Sequence, residues 1–87
     1  MKYIILKIID NKTGTDDEKN ARRIGREITK VHDIVEGCPI SFQYNNGLYL
    51  NMSRVVSLVD EGSQVILKTC NSTYTLGKVI EGEVDES

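Results

Sequence analysis

Thr15-Asp16-Asp17-Glu18-Lys19-Asn20-Ala21-Arg22-Arg23-Ile24-Gly25-Arg26-Glu27-Ile28-Thr29-Lys30 decides whether this chain carries a helix. Thr15 is placed to cap one, its hydroxyl accepting a first-turn N–H. Glu18, three residues on, reaches back to the cap N–H, which completes a capping box. Asp16 and Asp17 stand at the positive end of the helix dipole. At roughly 100° per residue, Ala21, Ile24 and Ile28 share one side, and Lys19, Arg22, Arg23, Arg26 and Lys30 crowd the other. The spacing therefore predicts an amphipathic helix with a cationic stripe. Its end is open. Val31 and Val35 extend the apolar face toward Gly37 and Pro39, a good stop. An earlier end near Ile28–Lys30 is preferred, because Thr29–Gly37 looks like Ser53–Gly62 with one residue inserted. Asn46-Gly47-Leu48-Tyr49 likewise precedes Asn71-Ser72-Thr73-Tyr74 by 25 residues. Two copies of a strand-turn unit explain both matches, and chance similarity between β-rich segments competes with that explanation.

Working outward, Tyr3–Ile9 reads as a strand with apolar residues on both faces: Tyr3, Ile5 and Ile9 on one, Ile4, Leu6 and Ile8 on the other. Such a strand is central, wraps into a barrel or lies at a subunit interface. Lys7 breaks the apolar run too early for a signal peptide, so a cytoplasmic location is the expectation. On the other side, Pro39–Tyr44 and Leu48–Met52 flank Asn45-Asn46-Gly47, whose Asn-Gly suits a type I′ turn. Arg54–Val59, a turn at Asp60–Ser63, Gln64–Cys70, a turn at Asn71-Ser72 and Thr73–Leu76 continue the meander, with Lys78–Ile80 as a short added strand. In Arg54–Val59 both Val55/Val59 and Val56/Leu58 are apolar, so burial on two sides is expected there too.

Composition agrees with strands. Ile, Val and Thr make 24 of 87 residues and Ala occurs once. Eighty-seven residues suffice for one domain and not two. The expected fold is α+β: an N-terminal strand and one amphipathic helix, then a small antiparallel SH3-like barrel or meander. This single domain spans residues 1–80, and residues 81–87 form an acidic, disordered tail. The net charge of −2 excludes a wholesale polycation.

Ser53-x-Val55 followed by Thr69-x-Asn71-Ser72-x-Tyr74-x-Leu76 resembles a pattern shared by short, uncharacterised proteins of bacteria and their mobile elements. The resemblance covers Ser53–Leu76 and implies a small SH3-like β-barrel or meander. It implies no activity. Small, site-poor proteins from bacteria or mobile elements often act as inhibitors or accessory subunits, including inhibitors of host defence.

Catalytic chemistry is sparse. His32 is the single imidazole, and it reads as structural or exposed. With Cys38 it would make a nucleophile–base pair only if the fold joined them, and no orienting third group is evident. Cys38 and Cys70 lack metal-ligand spacing and read as two small buried thiols. Capping accounts for Asp16-Asp17-Glu18 without a metal. No phosphate-loop, dinucleotide or zinc-protease motif occurs. No enzyme activity, catalytic residue, metal or cofactor is expected.

Two candidate surfaces remain. The stripe Lys19, Arg22, Arg23, Arg26 and Lys30 fits nucleic-acid phosphates, an acidic protein surface, or simply a solvated face. Tyr44, Tyr49 and Tyr74 form either core edges, with Tyr49 and Tyr74 in matching repeat positions, or an aromatic patch. A protein partner is the leading expectation, through a non-enzymatic binding module. Nucleic acid through the stripe comes next. An oligomeric sponge for a nucleotide-like small molecule is third, motivated by the two-faced first strand. A homo-oligomer is allowed, and no membrane association is expected.

Overall fold

A computed structural model describes residues 2–79. The acidic-tail expectation for 81–87, like Ile80, lies outside the described residues. Six strands succeed one another: β1 (Lys2–Asp10), β2 (Glu27–Lys30), β3 (Pro39–Tyr44), β4 (Tyr49–Asp60), β5 (Gln64–Thr69) and β6 (Ser72–Val79). Each pairs antiparallel with the next, and β6 returns to β1, closing a six-stranded meander barrel. The α+β expectation is thus overturned, while the small β-barrel stands.

The predicted amphipathic helix is where the two part. Thr15 is not the cap, and no capping box forms. Its carbonyl accepts from Asp10 N–H at 2.8 Å, which ties it into the turn after β1. Asp17 caps instead, and it opens a 3₁₀ helix of six residues, Glu18–Arg23. Ile24 is already extended, and Gly25 takes a φ of +87°, which turns the chain back. Glu27–Lys30 then forms β2, between Lys2–Ile4 of β1 and Phe42–Tyr44 of β3. Ile28 is fully buried as a strand residue, whereas Ala21 and Ile24, its supposed helical companions, are exposed. The physical reason is tertiary. A six-strand closure needs β2 to bridge β1 and β3, and helix propensity across Gly25 and the β-branched Ile24, Ile28 and Thr29 is too weak to resist it.

The repeat does not survive either. Residues 31–38 form a loop, while Ser53–Asp60 is strand. The two strands expected at Leu48–Met52 and Arg54–Val59 are one strand, β4. It pairs with β3 through Tyr49–Arg54, then with β5 through Val55–Asp60. The register shifts around Ser53 and again around Val56, so each is an extra residue that bends the strand as it changes partner. Lys78 and Val79 are the end of β6 rather than a separate strand. The Asn45–Gly47 turn is not type I′, since Gly47 alone there has positive φ (+90°). Tyr44 and Leu48 close a three-residue loop instead, with Asn46 Oδ1 accepting from Leu48 N–H at 3.0 Å.

A similar bulge resolves the two-faced first strand. β1 pairs Ile5 with Leu76 but Lys7 with Thr75, so Leu6 is the extra residue. Tyr3 and Ile5 face inward before it, and Ile8 faces inward after it. Outside, Ile4 and Leu6 cover Gly77, where an added Cβ would meet their methyl groups at 3.2 and 3.1 Å. The core centres on Phe42, with Tyr3 set edge-on to it, ring centroids 6.1 Å apart. Ile5, Ile28, Ile40, Leu67 and Leu76 surround them, fully buried. Burying each such side chain contributes about 1.5–3 kcal/mol.

Candidate interaction surfaces

A 3₁₀ helix repeats every three residues, so the stripe divides into rows. Lys19 and Arg22 share an outer row, and Arg22 Nη1 donates to the Lys19 carbonyl at 2.9 Å. Asn20 and Arg23 share an inner row against the barrel mouth. There Arg23 Nη1 donates to the Tyr74 hydroxyl at 3.1 Å. Arg26, just past the Gly25 turn, lies over the Tyr44 ring with its guanidinium carbon 4.1 Å from the centroid. Lys30 is on β2 and pairs with the exposed Asp33 at 3.9 Å. The continuous helical stripe is therefore divided: Lys19, Arg22 and Arg23 lie on the 3₁₀ helix, Arg26 follows its Gly25 turn and Lys30 stands on β2. Among the described residues, ion pairs join Lys2 to Glu27, Lys30 to Asp33 and Lys78 to Asp60; none neutralises Arg22, Arg23 or Arg26.

The three tyrosines do not form one patch. Tyr44 and Tyr74 both project inward, Tyr44 half-buried and Tyr74 only 4% exposed. Burial pushes the Tyr74 hydroxyl above its ordinary pKa, against the pull of the Arg23 charge. Tyr49, at the start of β4, is 60% exposed and alternates with the inward Leu50. It is therefore neither a core position nor a counterpart of Tyr74. The fold joins arginines to tyrosines, a pairing that sequence reading keeps as two separate surfaces.

Asp17 binds the 3₁₀ segment to the barrel. Its Oδ1 accepts from Lys19 N–H at 3.1 Å and Asn20 N–H at 3.3 Å. Its Oδ2 accepts from Asn20 Nδ2 at 2.7 Å and Ser72 Oγ at 3.1 Å. The Asn20 side chain leads in holding this carboxyl below the usual carboxylate range. A polar groove of about 250 Å³ runs beside it, lined by Asp10, Lys12, Asp17, Lys19, Asn71 and Ser72 among others. With four donors on the Asp17 carboxylate, its capacity to serve as a base or ligand is already taken up.

His32 sits in the exposed 31–38 loop. Its Nε2 accepts from Ser41 N–H at 3.4 Å, and Nδ1 lies 2.9 Å from the Asp33 carbonyl, which assigns the proton to Nδ1. Cys38 and Cys70 are exposed rather than buried, and both are free thiols. The Cys38 carbonyl accepts from Val55 N–H, while Cys70 N–H donates to the Arg54 carbonyl. The cysteines thus flank β4 on opposite sides. Two strand spacings, about 10 Å, exceed the roughly 7 Å a disulfide spans.

The feature that sequence reading misses is the second half of β4. Beyond Val55, β3 has ended and only β5 pairs with it. Among the described residues, Val56–Asp60 is a strand edge bonded on one side. Val56 is 49%, Leu58 36% and Val59 50% exposed, which corrects the expected two-sided burial. Natural edges are blunted by charge or Pro, and Val56-Ser57-Leu58-Val59 carries neither. Asp60, which ends the run, has both carboxylate oxygens 2.9 Å from Lys78 Nζ. A run of twelve residues from Tyr49 to Asp60 without Gly or Pro is the available signal.

Comparison with protein families, with curated proteins and with solved structures finds no match for this chain. Among the described residues, no helix is long and apolar enough to cross a membrane, and no three His, Cys, Asp or Glu side chains cluster as metal ligands.

Proposed function

We propose that this chain is a non-enzymatic protein-binding module that takes an extended segment of its partner along the free edge of β4. The observation that carries the reading is the one-sided strand Val56–Asp60 with three exposed apolar side chains. Backbone N–H and C=O groups on such an edge are satisfied by an added strand, whose alternate side chains meet Leu58 on one face and Val59 on the other. The small size and the sparse catalytic chemistry support an inhibitor or accessory role, with a host-defence protein as one such partner. The two-faced β1, which motivated a ligand sponge between subunits, needs no second copy once its bulge and the cover over Gly77 are counted.

The test places a photo-crosslinking residue at position 56 and compares capture with Val59 retained and with Val59→Lys, which adds a charge on the outer face of the edge. The reading expects one crosslinked partner that Val59→Lys loses, with thermal stability unchanged. Equal capture by both overturns it. Native mass spectrometry separates the occupants, because a dimer that Val59→Lys dissolves makes the added strand a second copy of this chain.

A further inference from the structure

We propose that Arg22, Arg23 and Arg26, with Tyr44, form a binding face for single-stranded nucleic acid, separate from the β4 edge. Three guanidinia lie within five residues, and among the described residues no carboxylate pairs with them. Of the nearby acids, Asp17 is taken up by Lys19, Asn20 and Ser72, and Glu27 pairs with Lys2. Neutral groups hold these arginines instead. The Lys19 carbonyl orients Arg22, the Tyr74 hydroxyl orients Arg23 and the Tyr44 ring supports Arg26. Each keeps its full charge while part of its rotamer freedom is already removed, which suits an anionic ligand with several charges in a row.

Arg26 chooses among anions. Its guanidinium lies 4.1 Å over Tyr44 and the residue is exposed, so the outer face of the cation is open as a flat platform. Bases stack on arginine planes as they do on aromatic rings. A carboxylate-bearing peptide would use the charges and leave the platform idle. A duplex keeps its bases stacked inside and is read by a helix or ribbon that fills a groove. A six-residue 3₁₀ helix ending in a glycine turn offers neither. A single strand uses both features, with phosphates at Arg22 and Arg23 and a base against Arg26.

Fluorescence anisotropy of a labelled oligothymidylate of about 12 nucleotides, read at about 50 mM and 200 mM salt, tests this. The native protein binds at the lower salt and weakens at the higher. Arg22→Glu with Arg26→Glu abolishes binding while the melting curve is retained. Arg26→Lys keeps the charge and removes the plane, so affinity falls about tenfold with little change in salt slope. Val59→Lys leaves binding intact, which separates this face from the β4 edge. No binding at about 50 mM, equal affinity for a duplex of the same length, competition by polyglutamate as strong as by oligothymidylate, or an Arg26→Lys variant that binds as well as the native protein would each overturn the proposal.

Discussion

Asp17 shows how one side chain decides a local structure. Its carboxylate joins the first N–H groups of the 3₁₀ helix to Ser72 on β6, so its removal frees both ends. Asp17→Ala should lower stability by about 1 kcal/mol or somewhat more, measured by urea unfolding. Because folding lowers the Asp17 pKa, its contribution is present above the ordinary carboxylate value of about 4 and fades as pH falls through and below it. Asp17→Asn should flatten that acid limb. Tyr74 runs the other way. Its pKa is raised, so its contribution holds below about pH 10 and is lost as pH rises beyond. Tyr74→Phe should remove part of the alkaline destabilisation seen by thermal melting between about pH 8 and 11.

Between Asp17 and Lys30 the element scale overrules the residue scale. The acids, the threonine and the cationic spacing are genuine helix signals, and a short 3₁₀ helix does form there. Gly25 ends it, its N–H donating to the Ile5 carbonyl at 2.7 Å while Ile5 N–H returns to the Arg26 carbonyl at 3.0 Å. With φ at +87°, Gly25→Ala should cost about 1–2 kcal/mol in chemical denaturation, although open space surrounds the position. The bulges act at this scale too. Strict alternation in β1 and β4 predicts two buried faces. One extra residue at Leu6, and others at Ser53 and Val56, reverse the phase, so a single inner face draws on both sets. Alternation counted along one strand cannot register a bulge, because a bulge is defined against the neighbour.

At the scale of the molecule, closure concentrates stability in a few shared side chains. Phe42→Ala should cost about 3–5 kcal/mol, a large share of the roughly 5–15 kcal/mol that holds a domain of this kind, so its urea midpoint should collapse. Closure also pairs β1 with β6 across nearly the whole chain, from Lys2–Val79 to Asp10–Ser72. Folding should therefore be slow for so small a protein, on the order of milliseconds to seconds by stopped-flow fluorescence. Among the described residues the barrel still leaves an edge, because β4 outlasts β3, and that edge carries the proposed function.

Much of the β portion is legible along the chain. Its own residues bound β3 at the observed ends, Pro39 and Tyr44, and mark the turns around Gly47 and Gly62, because turn chemistry is local. Tyr44 and Tyr74, Arg23 and Arg26 are legible as types and not as pairs. Their meeting depends on distant stretches of chain sharing one barrel mouth. By itself, the sequence determined a small β-rich chain with a cationic segment and little catalytic chemistry. Only the tertiary structure decided that Glu27–Lys30 is a strand, that Arg23 and Arg26 rest on tyrosines and that Val56–Asp60, among the described residues, pairs on one side. Those outcomes depend on which neighbour each backbone finds, and strand pairing is a long-range interaction that local propensity does not encode.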